Sequence, residues 1–162
     1  MSYQKNTIFT HVYLGLGTNL GNKRENIELA LKNIEKQIGN IVSHSAFYSS
    51  EPLGFESDNL FLNCAVEIKT KLLPYELLAK TQAIEKAMGR DKKSDSSGYS
   101  DRLIDIDILL FNSEVINDVP KLVVPHPLMQ ERYFVLKPLA EIASNFAHPV
   151  LNKTINQLLD EL

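Results

Sequence analysis

Apolar and polar positions along the chain fall into short alternating runs and longer runs with helical spacing. Val12, Leu14 and Leu16 alternate with Tyr13 and Gly15, which predicts a strand over about Ile8–Leu16. A turn, GTNLGN, follows, and Asn22 with Glu25 three residues later has the spacing of a helix N-cap and its reciprocal partner. Ile27, Leu31, Ile34 and Ile38 then recur at helical spacing, with Gly39 placed to end that helix. A second strand is expected over Ile41–Tyr48, followed by a loop over Ser49–Asp58 that contains Pro52 and Gly54. In a third strand, Phe61–Lys69, Leu62, Cys64, Val66 and Ile68 face one way and Phe61, Asn63, Ala65 and Glu67 the other. Pro74 opens a second helix that runs to about Met88, with Leu77, Thr81, Ile84 and Met88 inward and Gly89 as its stop.

The segment Arg90–Arg102, RDKKSDSSGYSDR, has no apolar period and is expected to be a mobile loop. A fourth strand, Leu103–Phe111, precedes a turn at Asn112–Glu114; the tail holds Pro125, Pro127 and helices near Val135–Ala143 and Thr154–Leu159. The order strand, helix, strand, strand, helix, strand is the split pattern of an α+β fold. It predicts a ferredoxin-like βαββαβ core with extra C-terminal elements in three αβα layers. Consecutive second and third strands suggest a hairpin, which makes a doubly wound parallel sheet the poorer fit.

Composition narrows the function. The 162 residues fit one domain, with 44% hydrophobic and 23% charged residues. A net charge of -3, from 17 basic and 20 acidic residues, argues against a nucleic-acid partner held by bulk electrostatics. Cys64 has no cysteine to pair with and sits in an apolar alternating run, so it reads as a small buried hydrophobe. No apolar stretch approaches the roughly 18 residues of a membrane span, and the N-terminus lacks a signal core. A cytoplasmic location is therefore expected, with no membrane partner.

The chemistry concentrates in Arg102-Leu-Ile-Asp105-Ile-Asp107-Ile-Leu-Leu-Phe111. On a strand, Asp105 and Asp107 project from one face, roughly 7 Å apart, while Ile104, Ile106 and Ile108 take the other. Adjacent carboxylates repel and favour a cation between them; Mg²⁺ prefers one or two carboxylates plus water and phosphate oxygens. The alternative is an acidic strand face turned to solvent. Leu109 and Phe111 should continue the aspartate face in apolar form, which fits a pocket floor better. Arg90, Lys92, Lys93 and Arg102 carry the fork and point charges that clamp phosphates, although Asp91, Asp95 and Asp101 are interleaved. His126, between Pro125 and Pro127, is either a phosphate donor or a surface residue, and spacing leaves both open. His11, His44 and His148 share no metal-ligand spacing. Gly15-Leu-Gly17-Thr-Asn-Leu-Gly21 matches neither phosphate-loop fingerprint, so a nucleotide site must be built in another way.

Together, GLGTNLGN, FYSSEPLGF, FLNCAV, QAIEKAMGR, RLIDIDILLF and VVPHPLMQERYFVLKPL resemble the 6-hydroxymethyl-7,8-dihydropterin pyrophosphokinase family. They occur in the family's order over nearly the whole chain. The resemblance implies transfer of the ATP pyrophosphate to 6-hydroxymethyl-7,8-dihydropterin, giving AMP, in folate biosynthesis. It implies two Mg²⁺ ions at Asp105 and Asp107, catalytic arginines at Arg90 and Arg102, and ATP contacts from Gln82, Glu85, Lys121, His126 and Arg132. Asn63 would read the pterin edge, Phe61, Phe134 and Leu53 would enclose the ring, and Asn19 and Ser50 would lie beside it. Three features depart from the family pattern. Asp101 stands just before Arg102, the polar loop is about two residues longer than in shorter members, and lysine replaces arginine at Lys121. A non-catalytic sensor and a structural ferredoxin-like module are the competing readings; intact carboxylates and arginines speak against the first, and the pterin-pocket residues against the second.

Overall fold

The computed structural model describes residues 8–89, 101 and 103–162. Five strands form one antiparallel sheet: β1 (Thr10–Thr18), β2 (Gly39–His44), β3 (Tyr48–Ser50), β4 (Phe61–Thr70) and β5 (Asp105–Phe111). Spatially β4 and β1 are central, with β5 against β1 and β2 and β3 both paired to the far side of β4. Two short strands, β6 (Ile116–Asp118) and β7 (Leu122–Val124), form a separate hairpin.

Helices cover both faces. Ile27, Ala30 and Ile34 of α1 (Lys23–Gln37) and Leu77 and Ile84 of α2 (Pro74–Ala87) join Leu14, Val66, Ile68, Ile104 and Ile106 in one core. On the other face, Leu136 and Leu139 of α3 (Tyr133–Ala143) and Ile155 and Leu158 of α4 (Ile155–Asp160) pack on Tyr13, Ala65, Leu109 and Leu110. Strand alternation thus sorts β4 as expected: Cys64, Val66 and Ile68 enter the first core, Ala65 the second. Among the described residues no helix is long and apolar enough to cross a membrane.

Local chemistry sets the helix starts. The Asn22 carboxamide oxygen accepts from the Glu25 amide at 3.2 Å, and Glu76 accepts from Leu73 N at 3.1 Å ahead of Pro74.

Four expectations need correction. The single strand over Ile41–Tyr48 is two strands, because the chain leaves the ladder at Ser45–Phe47 and rejoins it at Tyr48. The buried Ser45 hydroxyl holds that break, accepting from Ala65 N at 2.9 Å and donating to Ala46 O at 2.7 Å. Ser49 and Ser50, expected in a loop, belong to the second piece. Gly39 does not simply end the first helix. It opens β2, where a Cβ would lie 2.1 Å from Lys69 O, so close approach of strands requires it. Phe111, expected on the aspartate face, lies in the opposite core with Ile106 and Ile108. The β1–β5 register shifts between Tyr13 and Leu14: Leu14 faces Ile108 but Tyr13 faces Leu110, so the extra residue there reverses the alternation beyond Leu109.

Candidate active site

The register brings the chemistry-bearing residues into rows across three strands. Gly17 of β1 lies between Asn63 of β4 and Asp105 of β5, and Gly15 lies between Ala65 and Asp107. Strand spacing puts the Asn63 and Asp105 backbones about 10 Å apart across a strip without side chains. A Cβ on Gly17 would stand 3.4 Å from Asn63 Oδ1 and 3.7 Å from Phe61 Cδ1, so glycine keeps this strip open.

A predominantly apolar cavity lies over the strip. Leu53, Phe55, Phe61, Leu109, Phe134, Val135 and Pro138 wall it, and Ser50, Glu51, Asn63 and Arg132 supply its polar atoms beside the two aspartates. Phe55 meets Phe61 edge-on, with ring centroids 6.1 Å apart at 89°. The Arg132 guanidinium lies 5.8 Å from the centre of the Phe134 ring.

A second, more polar cavity adjoins it, lined by Leu78, Thr81, Gln82 and Glu85 of α2, by Ile106, and by His126, Pro127 and Leu128. Both cavities are bounded by Asp105, Asp107 and Arg132. Asp105 and Asp107 thus stand where the two meet.

Glu85 is only 7% exposed, and its carboxylate accepts from Ile106 N at 3.4 Å, which ties α2 to the outer edge of β5. His126 N donates to Leu109 O at 3.0 Å on the same edge, and His126 Nδ1 accepts from Leu128 N at 3.3 Å. With Nδ1 accepting, the neutral ring carries its proton on Nε2. Burial pushes the His126 pKa below the ordinary histidine value; the Arg132 charge adds to this and Asp105 opposes it. This histidine is therefore neutral near pH 7, a hydrogen-bond donor rather than a second cation.

Among the described residues no group of three or more His, Cys, Asp or Glu side chains converges to cage a metal. Two carboxylates on one strand face beside an open cavity instead match an ion that completes its shell with water and phosphate oxygens, as Mg²⁺ does.

Several sequence-predicted site residues are assembled here: Asp105, Asp107, Gln82, Glu85, His126, Arg132, Ser50, Leu53, Phe61, Asn63 and Phe134 all line one or both cavities. Two do not. Asn19, 2% exposed at the end of β1, lines neither cavity and donates to Asp101 Oδ1 at 2.7 Å. Lys121 also lines neither; its ammonium sits 4.9 Å from the centre of the Tyr75 ring. Arg90, Lys92, Lys93 and Arg102 lie outside the described residues. Asp101 is tied down on both oxygens, since Asn59 Nδ2 also reaches it at 3.4 Å. Sequence reasoning missed Phe55, Glu51, Val135 and Pro138. An aromatic flanked by Gly54 and Glu56 in a polar loop was the one available signal for Phe55.

The fold sets two cavities side by side around an aspartate pair, and comparison with known proteins gives the family. Residues 13–144 match the family model of 7,8-dihydro-6-hydroxymethylpterin-pyrophosphokinase (HPPK), and the chain belongs to that family. It is 44% identical over 138 residues to the 2-amino-4-hydroxy-6-hydroxymethyldihydropteridine pyrophosphokinase of Porphyromonas gingivalis, covering 85% of this chain and 93% of that one. The Aquifex aeolicus protein of the same name is 41% identical over 150 residues, 93% of this chain and 91% of the other. The crystal structure of wild-type HPPK-DHPS from Plasmodium falciparum superposes with a TM-score of 0.79 at 20% identity. That match covers 98% of this chain but 45% of the Plasmodium chain, and it speaks to fold alone.

Proposed function

We propose that the chain transfers the terminal pyrophosphate of ATP to the hydroxymethyl group of 6-hydroxymethyl-7,8-dihydropterin, releasing AMP, as a step of folate biosynthesis. The observation that carries this reading is the shared boundary of the two cavities: an aromatic-walled slot with one amide reader meets a polar trough at Asp105, Asp107 and Arg132. The pterin ring would lie in the slot between Phe61 and Phe134, with its edge at Asn63 and its hydroxymethyl arm toward the aspartates. Gln82, Glu85 and His126 would contact the nucleotide in the trough, where His126 donates from Nε2.

The reaction forms a bond from the pterin hydroxyl oxygen to the β-phosphorus of ATP and breaks the bond from that phosphorus to the oxygen kept by AMP. The hydroxyl proton leaves to solvent. Mg²⁺, held by Asp105 and Asp107, would supply charge neutralisation on the phosphates. The chain's own part is to hold nucleophile and phosphorus in line and to place cations where charge develops. Arg132, at the junction of the cavities, can pair with a phosphate oxygen by its fork. Arg90 and Arg102 would add to this from the polar loop, and Lys121 could join only by leaving the Tyr75 ring.

We also read the sheet order β2-β4-β1-β5 with two helices on one face as a ferredoxin-like core, to which α3 and α4 add a third layer. A cytoplasmic location fits the solution chemistry of both substrates. The deciding experiment mixes the protein with ATP, Mg²⁺ and the reduced hydroxymethylpterin and separates the nucleotides. AMP is expected; ADP, or no nucleotide product, would sink the reading.

A further inference from the structure

Tyr75 stands in the first turn of α2, where Tyr75, Leu78, Gln82 and Glu85 recur at i, i+3, i+7 and i+10 along one stripe of the helix. Leu78, Gln82 and Glu85 line the polar cavity. The helix wall of that cavity therefore continues outward to Tyr75, about 4.5 Å further along the axis. Another wall follows from β7: Val124, 1% exposed, is joined through Pro125 to His126, which lines the same cavity.

The two walls are tied at two depths. Inside, Leu77 of α2 and Leu122 and Val124 of β7 belong to one core. Toward solvent, the hairpin closes on Tyr75. The Tyr75 hydroxyl donates to Asp118 Oδ2 at 2.5 Å, and the Lys121 ammonium lies 4.9 Å from the centre of the Tyr75 ring. Asp118 ends β6 and Lys121 directly precedes β7, so both ends of the hairpin turn meet one aromatic side chain. A carboxylate at the hydroxyl and a cation over the ring face suit the two polarities of a tyrosine. The hydrogen bond to Asp118, more than burial or the Asp118 charge, pushes the Tyr75 pKa up and keeps its hydroxyl a donor. Lys121 lines neither cavity, and an ammonium lacks the fork with which arginine would grip a phosphate.

We propose that Tyr75, Asp118 and Lys121 form a staple that sets the gap between α2 and the β6–β7 hairpin, and so positions Gln82 and His126 around the nucleotide. Lys121 acts through the Tyr75 ring and does not touch ATP, contrary to what the family resemblance implies for this position. The inference rests on the substrate reading above and adds to it two positioning residues, Tyr75 and Asp118. A lysine that bound phosphate would have to leave the ring. Its removal would then cost the same whatever side chain stands at position 75.

The test is a double-mutant cycle read by calorimetry with Mg²⁺ and α,β-methylene-ATP, in which the bond broken during transfer is replaced. Lys121→Met should weaken binding about threefold in the wild-type background. Tyr75→Leu should itself lose at least about threefold, and adding Lys121→Met to it should cost less than about 1.5-fold more. Tyr75 is 41% exposed, so leucine is accommodated there without repacking a core. Lys121→Arg, which keeps a cation for the ring, should restore the affinity, and Asp118→Asn should lose about twofold. In steady-state kinetics the loss should appear in the KM for ATP, with kcat and the KM for the pterin within about twofold of wild type. A staple that served only the fold would lower the urea midpoint and leave affinity for the analogue unchanged, which would overturn the proposal. An equal loss from Lys121→Met in both backgrounds would also overturn it, because that lysine would then touch the nucleotide. Absence of any binding by wild type would sink the substrate reading and this inference with it, whereas additivity in the cycle would sink this inference alone.

Discussion

Asp105 and Asp107 are placed on one face by strand alternation, opposite Gly17 and Gly15. Glycines occupy the neighbouring β1 positions, so β1 itself places no side chain along that strip. If the pair holds the metal, Asp105→Asn and Asp107→Asn should each lower kcat by about 10²–10³-fold, with circular dichroism unchanged. Full activity in either variant would remove that residue from the metal assignment. Gly17→Ala places a methyl 3.4 Å from Asn63 Oδ1 and 3.7 Å from Phe61, on the floor of the slot. It should raise the KM for the pterin more than tenfold while the affinity for ATP alone is unchanged; a KM within twofold of wild type would mean the ring lies elsewhere. At this scale period-two spacing put Asp105 with Asp107, and Phe61 with Asn63, on shared strand faces, while the place of Phe61 and Asn63 in a pterin site came from the family resemblance. Asn19 and Lys121 were not, since an amide at a strand end or a lysine in a hairpin finds its partner through space. Asp101 posed a question the structure answers: its carboxylate is held by Asn19 and Asn59.

At the scale of elements, β2 and β3 act as one broken edge strand. Glu141 of α3 secures the break, accepting from Ala46 N at 3.0 Å and from the Tyr48 hydroxyl at 2.6 Å. That hydrogen bond to a carboxylate, more than burial or the Glu141 charge, pushes the Tyr48 pKa up. The Tyr48 carbonyl accepts from Asn63 Nδ2 at 3.0 Å, so α3 helps to hold that amide in place. The approach of β2 to β4 depends on Gly39. Gly39→Ala should destabilise the protein by about 1–3 kcal/mol, read as a lowered urea midpoint; a change under about 0.5 kcal/mol would contradict the packing described. The hydrophobic periods gave the existence and type of the main elements. They missed the interruption of the second strand and the bulge in β5, because an alternating run looks the same whether or not its partner strand keeps step.

Across the whole molecule, two cores on opposite faces of one sheet make the site a product of both. The first core holds β5 and α2, which carry Asp105, Asp107, Gln82 and Glu85; the second holds α3, which carries Phe134. His148 lies in the second half of the chain, between α3 and α4, and is 4% exposed. Its Nδ1 accepts from the amides of Val150 and Leu151 at 3.2 and 3.1 Å. Burial lowers its pKa, with a backbone hydrogen bond opposing. The unfolded chain therefore binds this proton before the folded one does. His148 stabilises the neutral-ring fold fully above about pH 6.5, and that contribution is lost as pH falls through the lower folded value. His126 acts in the same sense. Urea unfolding near pH 7.5 and pH 5 should show a larger loss on acidification in wild type than in His148→Gln. An equal loss would mean His148 carries no such linkage.

By itself the sequence determined the order and kind of the principal elements, the aspartate pair on one strand face, and Phe61 and Asn63 together on a face of another strand. These are local facts, written in periods of two and 3.6 residues or in segments that keep their chemistry wherever they fold. Only the tertiary structure decided that Phe111 turns away from the aspartates and that Asn19 binds Asp101. It alone joined the two cavities at Asp105, Asp107 and Arg132, and tied the Asn63 amide to the Tyr48 carbonyl. Each of these depends on register between strands far apart in the chain, where a shift of one residue reverses a face.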